Sequence, residues 1–71
     1  MDTQKLVYMA NQIAKFFAAQ GDDAAAAGVA DHLQKFWDPR MRANIIAHAK
    51  SGGQGLSPSV AKAVAQLAEP K

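Results

Sequence analysis

The stretch Phe36-Trp37-Asp38-Pro39-Arg40-Met41-Arg42 holds the chain's only tryptophan and both of its arginines. Its Asp-Pro pair marks a helix boundary. The proline ring drives the residue before it out of α geometry, and proline itself suits the first turn of a new helix. The Asp38 side chain is then placed to cap the free amides of that helix. Phe36 and Trp37 therefore close one helix, while Arg40, Met41 and Arg42 open the next.

Upstream of this corner, apolar residues recur at helical spacing. Ala26, Val29, Ala30, Leu33, Phe36 and Trp37 form one stripe, and Asp22 or Asp23 is in position to cap the helix that carries them. A first helix, capped by Asp2 or Thr3, has Leu6, Met9, Ala10, Ile13, Phe16 and Phe17 on one face and Lys5, Asn11, Gln12 and Lys15 on the other. Tyr8 lies nearly opposite that stripe and is expected outside the core. Gly21 is the natural left-handed stop between the two helices. The pattern from Met9 to Phe17 recurs from Val29 to Trp37, one helix later. Two copies are too few for a solenoid. They fit either a hairpin of similar antiparallel helices or two independent helices that obey one pattern.

Downstream, Met41, Ile45, His48 and Ala49 share a face, with Arg42 and Ile46 flanking it. Ser51-Gly52-Gly53-Gln54-Gly55 ends that helix in a loop. Ser57-Pro58 starts a last helix along Val60, Ala63, Val64 and Leu67, whose other side is smoothed by Ala61, Ala65 and Ala68. Glu69-Pro70-Lys71 reads as a fraying tail. The expected fold is all-α: one domain over residues 1–71, a small bundle of three to four short amphipathic helices, at about 3–20, 23–37, 39–50 and 58–68.

Composition narrows the function. At 71 residues only about 60 % of the unfolded surface is buried on folding, so stability is marginal. The absence of cysteine removes disulfides, thiolate metal sites and cysteine nucleophiles. A net charge of +2, with lysines scattered along the chain, lacks the basic stripe of a duplex binder. Met1 to Gln12 has no unbroken apolar core, which reads against a signal peptide, and the expected location is cytoplasmic.

No pattern of catalytic residues stands out. His32 and His48 are sixteen positions apart with no companion ligand spacing for zinc. The glycine run follows a helix and lacks the Gly-Lys-Ser/Thr ending of a phosphate loop, so it is a connector. Phe16, Phe17, Phe36 and Trp37 are most simply core, although so many rings exceed what an alanine-thinned interior needs, and some of them, with Tyr8, fit a binding patch. Arg40 and Arg42 are anomalous, because cations in a helix's first turn oppose its dipole. Three readings remain open for them: an internal ion pair, a small-anion site at the helix start, or contact with a protein partner.

Taken together, Met9-Ala10-Asn11-Gln12-Ile13-Ala14 with Phe16-Phe17, His32-Leu33 with Phe36-Trp37, Pro39-Arg40-Met41-Arg42, and Gly52-Gly53 with Gly55-Leu56 and Pro58 resemble the small delta subunit of the bacterial, cytosolic, NAD-dependent, molybdenum- or tungsten-containing formate dehydrogenase. The resemblance runs from about Leu6 to Val64, and Phe-Trp-x-Pro-Arg-Met-Arg is its most specific part. It implies an accessory chain that is no enzyme by itself and holds no cofactor. The other subunits of such a complex would carry molybdopterin, iron–sulfur clusters, flavin and NAD. This chain would bind the catalytic subunit and aid assembly, cofactor retention or stability. Tyr8, Trp37, Arg40 and Arg42 are the residues expected at that interface, without nucleic acid or membrane as partners. The alternative is a stand-alone helical interaction module or a small helix-turn-helix regulator with its arginines on phosphates.

Overall fold

A computed structural model describes residues 2–68. The tail Glu69-Pro70-Lys71 lies outside the described residues. Four helices follow in order: α1 (Thr3–Phe17), α2 (Asp22–Phe36), α3 (Pro39–Lys50) and α4 (Pro58–Ala68). The described residues contain no strand, and the protein is the all-α bundle its periodicity predicts.

Local chemistry sets each boundary. The Asp2 carboxylate accepts from the Gln4 amide at 3.0 Å and caps α1. The expected first helix loses its last turn: Ala18–Gln20 tighten into a 3-10 turn after Phe17. Gly21 then reverses the chain at φ 93°, ψ 160°, a backbone conformation open only to a residue without Cβ. Gly21 also takes the N-cap position of α2, so neither Asp22 nor Asp23 caps that helix, contrary to the sequence expectation. Both fall in its first turn instead, where their charge complements the dipole.

The loop after α3 closes with Gly53 N–H on His48 O at 3.0 Å and Gly52 N–H on Ala49 O at 3.3 Å. That paired pattern is the Schellman motif, and it needs the positive φ that Gly52 supplies (124°). From the loop, Asn11 is held on both sides of its amide. Its Nδ2 donates to Gly55 O at 2.9 Å and its Oδ1 accepts from Ser57 N–H at 3.0 Å. Thr3 Oγ1 donates to Asn44 Oδ1 at 2.7 Å and ties α1 to α3.

The core is made of small residues. α2 packs most extensively against α4 and next against α1, and its Ala26, Val29 and Leu33 join Val60, Ala63 and Val64 of α4 and Leu6, Ala10 and Ala14 of α1 in one core. Interaxial distance shrinks with the side chains at the contact, so alanines here bring the helices close and leave little room for rings. Two expectations fail for this reason. Phe16 and Phe36, read as core, are 86 % and 71 % exposed, and Met9 is half out at 42 %. The second member of each aromatic pair, a further 100° around the helix, turns inward: Trp37 is buried and Phe17 half-buried. The two repeat copies thus share an outward first ring and an inward second one.

Phe17 fixes how α1 meets α2. A Cβ added to Gly28 would sit 2.6 Å from Phe17 Cδ1, so the ring lies directly over the glycine. Gly28→Val is expected to destabilise the protein by about 1–3 kcal/mol through overpacking, read as a lower urea midpoint. Adding Phe17→Ala to Gly28→Val should recover part of that loss.

Candidate functional site

The corner between α2 and α3 is held by side-chain contacts to the backbone of both helices. Asp38, extended at φ −73°, ψ 168°, accepts from Met41 N–H at 2.9 Å and caps α3, with Pro39 in its first turn. Trp37 is also extended (φ −90°, ψ 138°), and its indole is 5 % exposed beneath the corner. Placed among the expected partner contacts, Trp37 is instead a core residue with no face on the surface.

Arg42 is likewise explained by folding. Its Nη1 donates to Gln34 O at 3.1 Å and to Trp37 O. The last carbonyls of a helix have no partner within it, and a guanidinium there satisfies them and complements the negative end of the dipole. Seen from α3 alone the cation sits at the wrong end of a helix. Seen across the corner it sits at the right end of the preceding one. Among the described residues it makes no ion pair with a carboxylate.

Arg40 is different. It is exposed, and among the described residues it has neither an ion-pair nor a hydrogen-bond partner. Tyr8 is 64 % exposed on α1, on the side away from the core as its spacing predicts. His32 stacks on Phe36, ring centroids 4.7 Å apart and tilted by 40°, which leaves the outer side of Phe36 free. His48 is half-buried, and its Nε2 lies 2.7 Å from Gln54 O. A carbonyl only accepts, so Nε2 carries the proton. The two imidazoles serve packing and loop fixation on separate helices. Among the described residues no group of three His, Asp or Glu side chains is gathered as for a metal ion.

The structure therefore brings Trp37 and Arg42 together with Asp38 in one folding corner, and leaves Arg40 and Tyr8 outside it. The exposed Phe16 and Phe36 fit the binding-patch alternative rather than the core reading, and Met9 of the apolar stripe is half out. Sequence reading missed Asn11, placed on the polar side of its helix without a role. Asn11's partners lie 44 and 46 residues away, so no local pattern could have found them. For Phe16 the available signal was its place at the edge of the apolar stripe rather than at its centre.

The architecture and these side chains define a small all-α bundle with an exposed aromatic surface. The chain belongs to the NADH-dependent formate dehydrogenase delta subunit family, FdsD, whose family model matches residues 5–64. No curated protein and no solved structure matches it. The match contains α2 and α3 whole and all but the ends of α1 and α4.

Two substitutions separate folding from surface at the corner. Arg42→Ala is expected to cost about 1–3 kcal/mol, the range for hydrogen bonds made by a charged group. Arg40→Ala should change stability by no more than about 0.5 kcal/mol, as surface substitutions do. Chemical denaturation of both variants checks the contrast.

Proposed function

We propose that this chain is a cytoplasmic, non-catalytic accessory subunit. It binds the catalytic subunit of a formate dehydrogenase and supports assembly, cofactor retention or stability of that complex. The family match over residues 5–64 carries this reading. Two structural features support it: large exposed apolar side chains on a small domain, which mark interaction surfaces, and an exposed Arg40 with no partner among the described residues.

In this reading molybdopterin, iron–sulfur clusters, flavin and NAD belong to the other subunits. The donor set of this chain does not fit an iron–sulfur cluster. It has no cysteine for a cluster, and its two imidazoles are engaged with Phe36 and with Gln54 O. No helix among the described residues is long and apolar enough to cross a membrane.

A marginal domain gains from such binding. A partner that engages only the folded form adds about 2.7 kcal/mol of stability when present at a hundred times its dissociation constant. In the assembled enzyme this chain is then expected to unfold together with the complex, above its own midpoint.

The reading is tested by expressing the other formate dehydrogenase subunits with and without this chain. With it, all should co-elute on size exclusion. Without it, formate-dependent NAD reduction and molybdenum content per catalytic subunit should fall. Complete assembly with unchanged activity and metal content in its absence would contradict the proposal.

A further inference from the structure

The outward face of α1 is distinct from the corner in both shape and charge. Successive steps of 100° place Lys5, Tyr8, Met9, Gln12, Lys15 and Phe16 within an arc of about 120°, opposite the buried Leu6, Ala10 and Ala14. Three of the four most exposed large apolar side chains of the described structure, Tyr8, Met9 and Phe16, stand on this arc. α1 holds two lysines and no carboxylate, and neither lysine has an ion-pair partner among the described residues. Asp2, just before the helix, is spent on the Gln4 amide. Beside the arc runs a groove of about 440 Å³, lined by Tyr8, Gln12, Lys15, Ala18, Ser57 and Ser59.

We infer that this face of α1 docks an apolar, carboxylate-bearing surface of a partner protein, Tyr8 and Phe16 acting as its anchors and Lys5 and Lys15 as its charge match. The inference rests on the accessory-subunit reading and gives that contact its location and chemistry. Tyrosine and other large amphipathic side chains dominate the energy of protein contacts when they fill a partner's pocket. Here Tyr8 and Phe16 both remain exposed among the described residues. Two ammonium groups without an ion-pair partner among the described residues, one toward each end of the helix, steer and orient an acidic partner.

Charge argues against a second copy as occupant. A two-fold contact sets one patch against itself, which would place the lysines of two carboxylate-free helices together. A membrane surface is disfavoured because two lysines fall below the cluster of about 4–8 cations that holds a helix to anionic lipid.

The test uses the full chain and the purified remaining subunits of its formate dehydrogenase, with binding followed by surface plasmon resonance at two salt concentrations. All substituted side chains are exposed, so each variant should keep the wild-type helical spectrum and unfolding midpoint. Tyr8→Ala with Phe16→Ala should weaken binding by about tenfold or more. Lys5→Glu with Lys15→Glu should slow association by about tenfold and reverse its salt dependence. Ala65→Lys, on the exposed side of α4, should bind as wild type. Wild-type affinity in both α1 variants would overturn the inference while leaving the accessory role intact. Absence of any binding by the wild-type chain would overturn the accessory role as well. Sedimentation of the wild-type chain with phosphatidylserine vesicles, abolished by the α1 substitutions while subunit binding is untouched, would assign the face to lipid and overturn the inference.

Discussion

Everything in this fold turns on the α2–α3 corner, where the end of one helix and the start of the next are satisfied by the same few residues. A helix exposes four unpaired carbonyls at its end and four unpaired amides at its start. Joining two helices with only Trp37 and Asp38 between them brings both sets into one place. Asp38 takes an amide of α3, and Arg42 reaches back to the Gln34 and Trp37 carbonyls of α2. With its polar ends answered, the chain can turn sharply and drop the Trp37 indole into the bundle. That indole is the largest apolar side chain in a core otherwise built from alanine, valine, leucine and isoleucine.

The same economy explains the surface. Alanine at the contacts of α2 with α1 and α4 allows close approach, and close approach expels large side chains from the interface. Phe16 and Phe36 are apolar residues that a thicker core would have absorbed. In this one they face solvent. A small domain can carry such a surface as a monomer only at a cost in solubility, and it is removed when another chain covers it.

Much of this was legible from residues alone. Helical spacing identified four amphipathic segments, and Asp38-Pro39 and Ser57-Pro58 announced two helix starts because proline geometry is local. Tyr8 could be placed outside the core by angle alone. What escaped was set by tertiary geometry. Whether Phe16 or Phe17 turns inward depends on the distance to α2, which hinges on Gly28 beneath the Phe17 ring. Arg42 looked misplaced because its partners belong to the preceding helix, and Asn11 looked idle because its partners lie at the far end of the loop. Gly21 displaced Asp22 and Asp23 from the cap because the chain reversal required a positive φ there. Of the four residues expected at an interface, folding claims Trp37 and Arg42, and the free surface keeps Tyr8 and Arg40.

The division between a folding corner and an outward α1 face is the centre of this account, and site-specific crosslinking reads it directly. A photoreactive benzoylphenylalanine would replace Phe16 in one version of the chain and Ala65 in another, each assembled with the remaining formate dehydrogenase subunits and irradiated. A covalent adduct is expected between the catalytic subunit and the probe at position 16, its attachment lying in an acidic, apolar segment, with little adduct from position 65. Efficient crosslinking from position 65 with none from position 16 would contradict that division.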